Sequence, residues 1–260
     1  MIDIHCHPLP ATDDGPKTFD VAVEMCRMAA ADGVTHLVAT PHYNYQYSFQ
    51  PEENQTKLAQ LQAEVGDAPN LFLGCDFHLS YDNIRHLIEN RKHFTINLSS
   101  YVLVEFDEYF VPEQMDQVFY EMQVAGLTPI VTHPERNPVC CRKPEVLYNW
   151  VTRSCLVQVT AQSYTGGFGR AVQRFAEQLL ERNLIHFFAS DAHDTRYRPP
   201  LLSPCYQKVV ATRGKAVADL LLKRNPEAVV KGLPLPAGPP PLGPDTLKNK
   251  PRWFSFYRKR

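Results

Sequence analysis

The chain has 260 residues, 44% of them apolar, with a net charge of −1 and a pI near 6.8. That is enough apolar material for one large α/β domain with a full core. The near-neutral balance excludes bulk electrostatic attraction to nucleic acid, and no apolar run reaches the roughly 20 residues needed to cross a bilayer.

Ile2-Asp3-Ile4-His5-Cys6-His7 predicts an opening strand whose two histidines, spaced by two, leave it on the same side. Asp13-Asp14-Gly15 then forms a loop in which Asp14 could serve an ion, although aspartate before glycine is also what an ordinary turn looks like. A helix follows from Thr18, a suitable N-cap, to Ala31, with Phe19, Ala22, Cys26, Ala29 and Ala30 on one face and Gly33 as its stop. His36–Thr40 predicts a second strand, closed by Pro41-His42. Pro51 opens a helix carrying Leu58, Leu61 and Val65 that stops at Gly66.

The alternation continues. Leu71–Leu73 runs into Asp76, and Tyr101–Val104 runs into Glu105. A helix is expected from about Pro112 to Gly126, then a strand Pro129–Val131 leading to His133. After a helix through Leu147 and Trp150, Leu156–Val159 leads to Thr160. After a helix through Val172, Phe175 and Leu179, Ile185–Phe188 leads to Asp191-Ala192-His193. Seven strand-then-helix units imply parallel strands with right-handed crossovers. Metal-competent side chains follow six of the seven strands, which predicts an α/β fold built as a distorted (β/α)7 TIM-like barrel with its site at one rim. A doubly wound sheet would gather them at one switch point.

The seven cysteines are odd in number and scattered, which predicts a reducing, cytoplasmic setting without structural disulfides. None has an arginine six positions later, so a phosphate-cradling cysteine nucleophile of that type is excluded. From Leu233 the chain is rich in proline and ends in a basic, aromatic run, Lys248 to Arg260. Residues 233–260 are therefore expected to be a flexible linker and solvated tail, or a docking motif for an acidic partner or a membrane surface.

Ile2–His7, Asp13-Asp14-Gly15, Ala39-Thr40-Pro41-His42, His133-Pro134-Glu135-Arg136-Asn137 and Ser190-Asp191-Ala192-His193 together resemble the PHP (polymerase and histidinol phosphatase) superfamily. More narrowly, they resemble its bacterial manganese-dependent tyrosine-protein phosphatases of the CpsB/CapC type, over residues 1 to about 232. The resemblance implies up to three Mn2+ ions, with Fe or Zn as alternatives. It places one on His5, His7 and Asp191, with Asp76 bridging to a second on Glu105 and His133, and a third on Asp14, His42 and His193. The family usually bridges with glutamate, so Asp76 is the departure.

Independently of the resemblance, imidazole and carboxylate without thiolate suit Mn, Fe or Zn. Ions of this kind can lower the pKa of bound water from 15.7 towards roughly 7, giving a hydroxide for in-line attack on phosphorus. Phosphate also calls for arginine. Arg136 follows His133, and Arg196 and Arg198 follow His193; the resemblance points to Arg136 and one of the other two. His78 shares a strand face with Asp76 and is a supporting candidate, whereas His36, His86, His93 and His186 read as core or surface residues. The expected activity is hydrolysis of phosphotyrosine in a protein, with a bacterial tyrosine kinase of capsule or exopolysaccharide assembly as the implied partner. The alternatives are a small-molecule phosphomonoesterase such as a histidinol phosphatase, and a metal-poor regulatory binding module.

Overall fold

The computed structural model describes residues 1–80 and 83–243. Nine short strands run in parallel: β1 (Ile2–Cys6), β2 (His36–Ala39), β3 (His42–Tyr43), β4 (Asn70–Leu73), β5 (Asp76–His78), β6 (Tyr101–Glu105), β7 (Thr128–Thr132), β8 (Leu156–Thr160) and β9 (Phe187–Ala189). They pair in the orders β1-β2-β4 and β3-β5-β6-β7-β8-β9.

These nine strands make seven staves. Pro41 has no N–H to give the ladder, so it separates β2 from β3. Gly74 and Cys75 separate β4 from β5, although the Gly74 N–H still donates to Ala39 O (2.8 Å). A Cβ on Gly74 would sit 3.1 Å from Val38 Cγ1 and 3.2 Å from Ile96 Cγ1, so the absence of a side chain lets the backbone pass through the core there. The ring closes where Cys6 bridges Ala192, with His7 N donating to Ala192 O (2.9 Å) and Asp191 N to His5 O (2.8 Å). The result is the distorted (β/α)7 barrel that the sequence predicts.

Alternation along the strands separates two apolar layers. Leu37 and Ala39, Val102 and Val104, and Val157 and Val159 join helix residues such as Cys26, Leu61, Met122, Trp150 and Leu179 in the outer layer. Val38, Tyr101, Leu103, Ile130 and Leu156 form the inner one, with Val229 and Val230 packed against them. On β5, Phe77 belongs to the outer layer, which turns Asp76 and His78 inward.

The helices obey their local signals. Thr18 Oγ1 accepts the Val21 N–H at the head of Phe19–Ala31, and Pro51 occupies the first turn of Pro51–Val65. The helix expected from about Pro112 begins at Met115 instead, because residues 113–114 form a turn. The helices that fill 203–231 (Ser203–Arg213, Lys215–Asp219 and Asn225–Lys231, with a π-turn at Leu220–Arg224) carry no prediction above. Leu233 to Gly243 lies against the barrel. Tyr101 Oη donates to Leu233 O (2.7 Å), Asn183 Nδ2 to Pro240 O (3.0 Å) and Leu242 N to Arg182 O (2.8 Å). The basic aromatic end of the predicted tail lies outside the described residues. No helix among the described residues is long and apolar enough to cross a membrane.

Candidate metal centre

All nine predicted ligands come together at the C-terminal ends of the strands, the rim on which barrel folds build their sites. His5 Nε2 lies 3.2 Å from His7 Nε2, 3.3 Å from Asp76 Oδ2 and 3.5 Å from Asp191 Oδ1. His7 Nε2 is 3.6 Å from the same Asp191 oxygen. His42 faces Asp76 Oδ2 (3.3 Å) and Glu105 Oε2 (3.4 Å) with Nδ1, and Asp14 Oδ1 (3.4 Å) with Nε2. His193 Nε2 meets Asp14 Oδ1 at 3.3 Å, and His133 Nε2 meets Glu105 Oε1 at 3.3 Å. The nine side chains thus form one connected network.

This geometry fits divalent ions. Two ligand atoms each about 2.1 Å from a tetrahedral ion stand about 3.4 Å apart, a separation longer than most hydrogen bonds and close to those observed. Asp76 is fully buried, yet neither of its oxygens accepts a hydrogen bond, and His42 Nδ1 is likewise without one. Buried groups of this kind are costly unless something satisfies them. Three compact groups can each grip a cation: His5, His7 and Asp76; His42, Asp76 and Glu105; and His7, Asp14, His42 and His193. Asp76 belongs to two of them, as a bridging ligand must. His133, beside Glu105 and with its ring 5.8 Å from that of His5, belongs to none of the three groups, and His42 is shared between two of them.

Electrostatics agree with the geometry. Burial alone would raise the acids of the site, but the surrounding imidazoles hold Asp14, Asp76 and Glu105 below the ordinary carboxylate range. Asp191 is held far down by Arg136, His5 and Arg198 against its own burial. His5 rises to about 9 because Asp76 and Asp191 outweigh burial, and the neighbouring carboxylates of Asp14, Asp76 and Glu105 push His42 up against its burial. A pocket that draws positive charge onto His5 and His42 is one that a cation would occupy.

Apart from His78, which the sequence reading named, the supporting residues are ones that it left unassigned. Asp13 Oδ2 accepts from His7 Nδ1 (2.7 Å) and from the His42 N–H (3.2 Å), while its Oδ1 accepts from the Gly15 N–H (2.9 Å). Gln158 Oε1 lies 3.0 Å from His5 Nδ1. Both contacts leave Nε2 of the histidine free to face a metal. A Cβ on Gly15 would approach His7 O to 2.4 Å, so only glycine closes this loop. Asp3, pushed up to about 6 by burial, accepts from the backbone N–H groups of His5 (3.3 Å) and Ser190 (3.0 Å), tying β1 to the segment after β9. Asp191 and His133 hold positive φ angles of 52° and 33°, a strained geometry at two strand ends that carry ligands. His78 Nδ1 stands 3.7 Å from Glu105 Oε2, so it supports that acid from behind.

The three arginines divide. Arg136 Nη2 and Arg198 Nη2 (2.6 Å) both pair with Asp191 Oδ2, and Arg136 also lies 5.0 Å over the Phe168 ring. Each uses one nitrogen on Asp191, and the buried Nε of each makes no hydrogen bond. Arg196 is exposed, and its backbone N–H is bound to Asp194 Oδ1. The structure therefore brings Arg136 and Arg198, not Arg196, to the site. All seven cysteines are unpaired, and burial raises the thiols of Cys26, Cys140 and Cys155 to about 12, which suppresses any thiolate there.

Comparison with known proteins accords with this site. The family described as "Capsular polysaccharide synthesis, CpsB/CapC" matches residues 1–231. The chain is 37% identical to CapC of Staphylococcus aureus over 210 residues, covering 79% of this chain and 82% of that protein. It is 37% identical to tyrosine-protein phosphatase YwqE of Bacillus subtilis over 202 residues, 76% of this chain and 79% of the relative. A crystal structure from work on YwqE from Bacillus subtilis and CpsB from Streptococcus pneumoniae, described as unique metal-dependent tyrosine phosphatases, superposes with a TM-score of 0.86. It has 32% identity and covers 94% of this chain and 99% of its own.

Proposed function

The chain belongs to the CpsB/CapC family of capsular polysaccharide synthesis, and on that footing we propose that it is a metal-dependent tyrosine-protein phosphatase. The observation that carries the reading is the single network joining all nine metal-competent side chains, which a metal-poor binding module would have no reason to assemble.

His5, His7 and Asp191 would hold one ion, Asp76 would bridge to a second on Glu105 and His133, and Asp14, His42 and His193 would hold a third. The mixed imidazole and carboxylate set suits Mn2+. Bound there, such ions supply Lewis acidity and a water of lowered pKa. Asp13 holds His7 and Gln158 holds His5 through Nδ1, which would leave Nε2 of each for an ion. Arg136 and Arg198 flank Asp191 with donors to spare, and would orient the phosphate and stabilise the charge that builds on its oxygens in the transition state. No protein nucleophile is needed, so the phosphoryl group passes to water without a covalent phosphoenzyme. A tyrosine kinase of capsule or exopolysaccharide assembly is the proposed partner, and the cytoplasm the proposed location.

The test is turnover of a phosphotyrosine peptide, a phosphoserine peptide and histidinol phosphate by chain purified without chelator. Preference for the first supports the reading, and preference for histidinol phosphate would replace it with small-molecule hydrolysis.

A further inference from the structure

Four large apolar side chains standing in solvent share one rim of the barrel: Tyr45 at 87% exposure, Tyr109 at 70%, Phe110 at 53% and Tyr197 at 82%. They lie in the loops after β3, β6 and β9, on the same rim as the ligand network. Among the described residues, the other large exposed apolar side chains are Phe19 (36%), at the start of helix Phe19–Ala31, and four that lie elsewhere. Tyr120 and Val124 are on helix Met115–Val124, and Leu98 and Leu233 flank the start of β6 at the barrel's other end.

Each of the three loops holds its ring in a turn braced by an Asn or Asp side chain. Asn44 Oδ1 accepts from the N–H groups of Gln46 (2.8 Å) and Tyr47 (2.9 Å), leaving Tyr45 at the tip. Asp107 Oδ1 accepts from Tyr109 N (3.1 Å), and Asp194 Oδ1 from the N–H groups of Arg196 (2.6 Å), Tyr197 (2.6 Å) and Arg198 (3.2 Å). All three turns are fastened to the site. Tyr47 stacks on His42 with centroids 6.1 Å apart, Asn137 Nδ2 beside Arg136 donates to Asp107 O (3.0 Å), and His193 N donates to Arg198 O (3.0 Å).

An aromatic ring held in water gains little for the fold. Rigid presentation, however, lowers the ordering cost when a partner covers it, and aromatic side chains offer large contact area at low entropic cost. Resting on the phosphatase reading above, we infer that Tyr45, Tyr109, Phe110 and Tyr197 form a rim that grips the polypeptide on either side of the phosphotyrosine. The metal pit takes the phosphate, so a small phosphomonoester ends inside it. Only an extended chain continues outward to meet the rings, whose faces suit peptide planes and apolar side chains. Selection of protein over small substrates is then made by the rim and not by the ions.

The experiment compares the wild-type protein with Tyr45→Ala, Tyr197→Ala, the Tyr109→Ala/Phe110→Ala pair and the fourfold variant. Each is assayed on a phosphotyrosine peptide and on free phosphotyrosine, with its oligomeric state read by light scattering. The fourfold variant should lose roughly tenfold or more in kcat/KM on the peptide, chiefly through KM, and stay within about twofold on free phosphotyrosine. Equal losses on both substrates, or no loss on the peptide, overturn the inference. So does a change of oligomeric state without peptide-selective loss, which would assign the rings to self-association. A wild-type enzyme that turns over free phosphotyrosine as well as the peptide removes the rim but leaves the phosphatase reading standing. Failure on both substrates removes that reading and the rim with it.

Discussion

Replacing Asp13 with asparagine changes one atom and isolates its role. Asp13 serves three donors at once: His7 Nδ1 and the His42 N–H on one oxygen, and the Gly15 N–H on the other. An asparagine has a single acceptor oxygen. If that oxygen keeps Gly15, the amide NH2 faces His7 Nδ1, which must then accept and carry its proton on Nε2, the atom that faces the ions. If the amide flips, the Gly15 N–H is left buried against a donor, and the loop bearing Asp14 loosens. His7 is held down at about 3 by burial and by its neighbours His193 and His42, so it is neutral near pH 7 and its tautomer decides whether it can ligate. Loss of such a support typically costs 10–100-fold in metal affinity, about 1.4–2.7 kcal/mol. The assay is Mn2+ titration of chelator-stripped wild-type and Asp13→Asn protein, followed by activity, with thermal unfolding as the check on the fold. The half-saturating concentration should rise by that factor while activity at saturating metal largely returns. An unchanged half-saturation with an intact fold would refute the reasoning.

Three further outcomes are expected. Asp76→Asn should lose at least one ion and nearly all turnover, since it removes a negative charge facing both His5 and His42, whereas Asp76→Glu should remain within roughly tenfold of wild type by metal analysis and kinetics. Arg136→Ala should cost on the order of 2–4 kcal/mol of transition-state stabilisation without loss of metal, because Arg198 still pairs with Asp191; metal loss would make Arg136 structural. His186 accepts the Val157 N–H on Nδ1 and is lowered by burial to about 4, so the folded state binds its proton less readily than the unfolded chain does. Its stability contribution is therefore full above the unfolded value of 6.5 and is lost as pH falls towards 4. About 2 kcal/mol should disappear between pH 7.5 and pH 5, measured by denaturant titration, and His186→Gln should abolish that part of the slope.

Most of the candidate ligands were legible because they end apolar runs and because period-two spacing puts His5 and His7 on one side of a strand; Asp14, in its loop, had no such signal. The barrel was legible from seven repeats of that pattern. Sequence spacing did not show that Pro41 and Gly74-Cys75 cut two staves in half, since the flanking segments read equally well as loops. The supports were hidden for a different reason. Gln158 reaches His5 across 153 residues, and only the closure of the barrel brings them together. Asp13 was in view, but the Asp13-Asp14-Gly15 stretch also reads as an ordinary turn, so nothing local distinguished an orienting acid from a turn residue. Arg196 and Arg198 were indistinguishable by spacing, and the turn around Asp194 separates them by turning Arg196 outward and Arg198 towards Asp191. The helices that fill 203–231 come after the last described strand, β9, with no further strand between or behind them, so the alternation that organised the rest offers no handle on them.

The central claim is that the nine-residue network is a metal centre on which hydrolysis depends. The direct measurement is elemental analysis of the chelator-free protein, with phosphotyrosine-peptide turnover followed as the metal is removed and restored. Two to three divalent ions per chain, loss of activity on removal and its return with Mn2+ are the expected result, with thiol alkylation harmless. Full turnover in metal-free protein, or inactivation that tracks alkylation of a single cysteine, would contradict it.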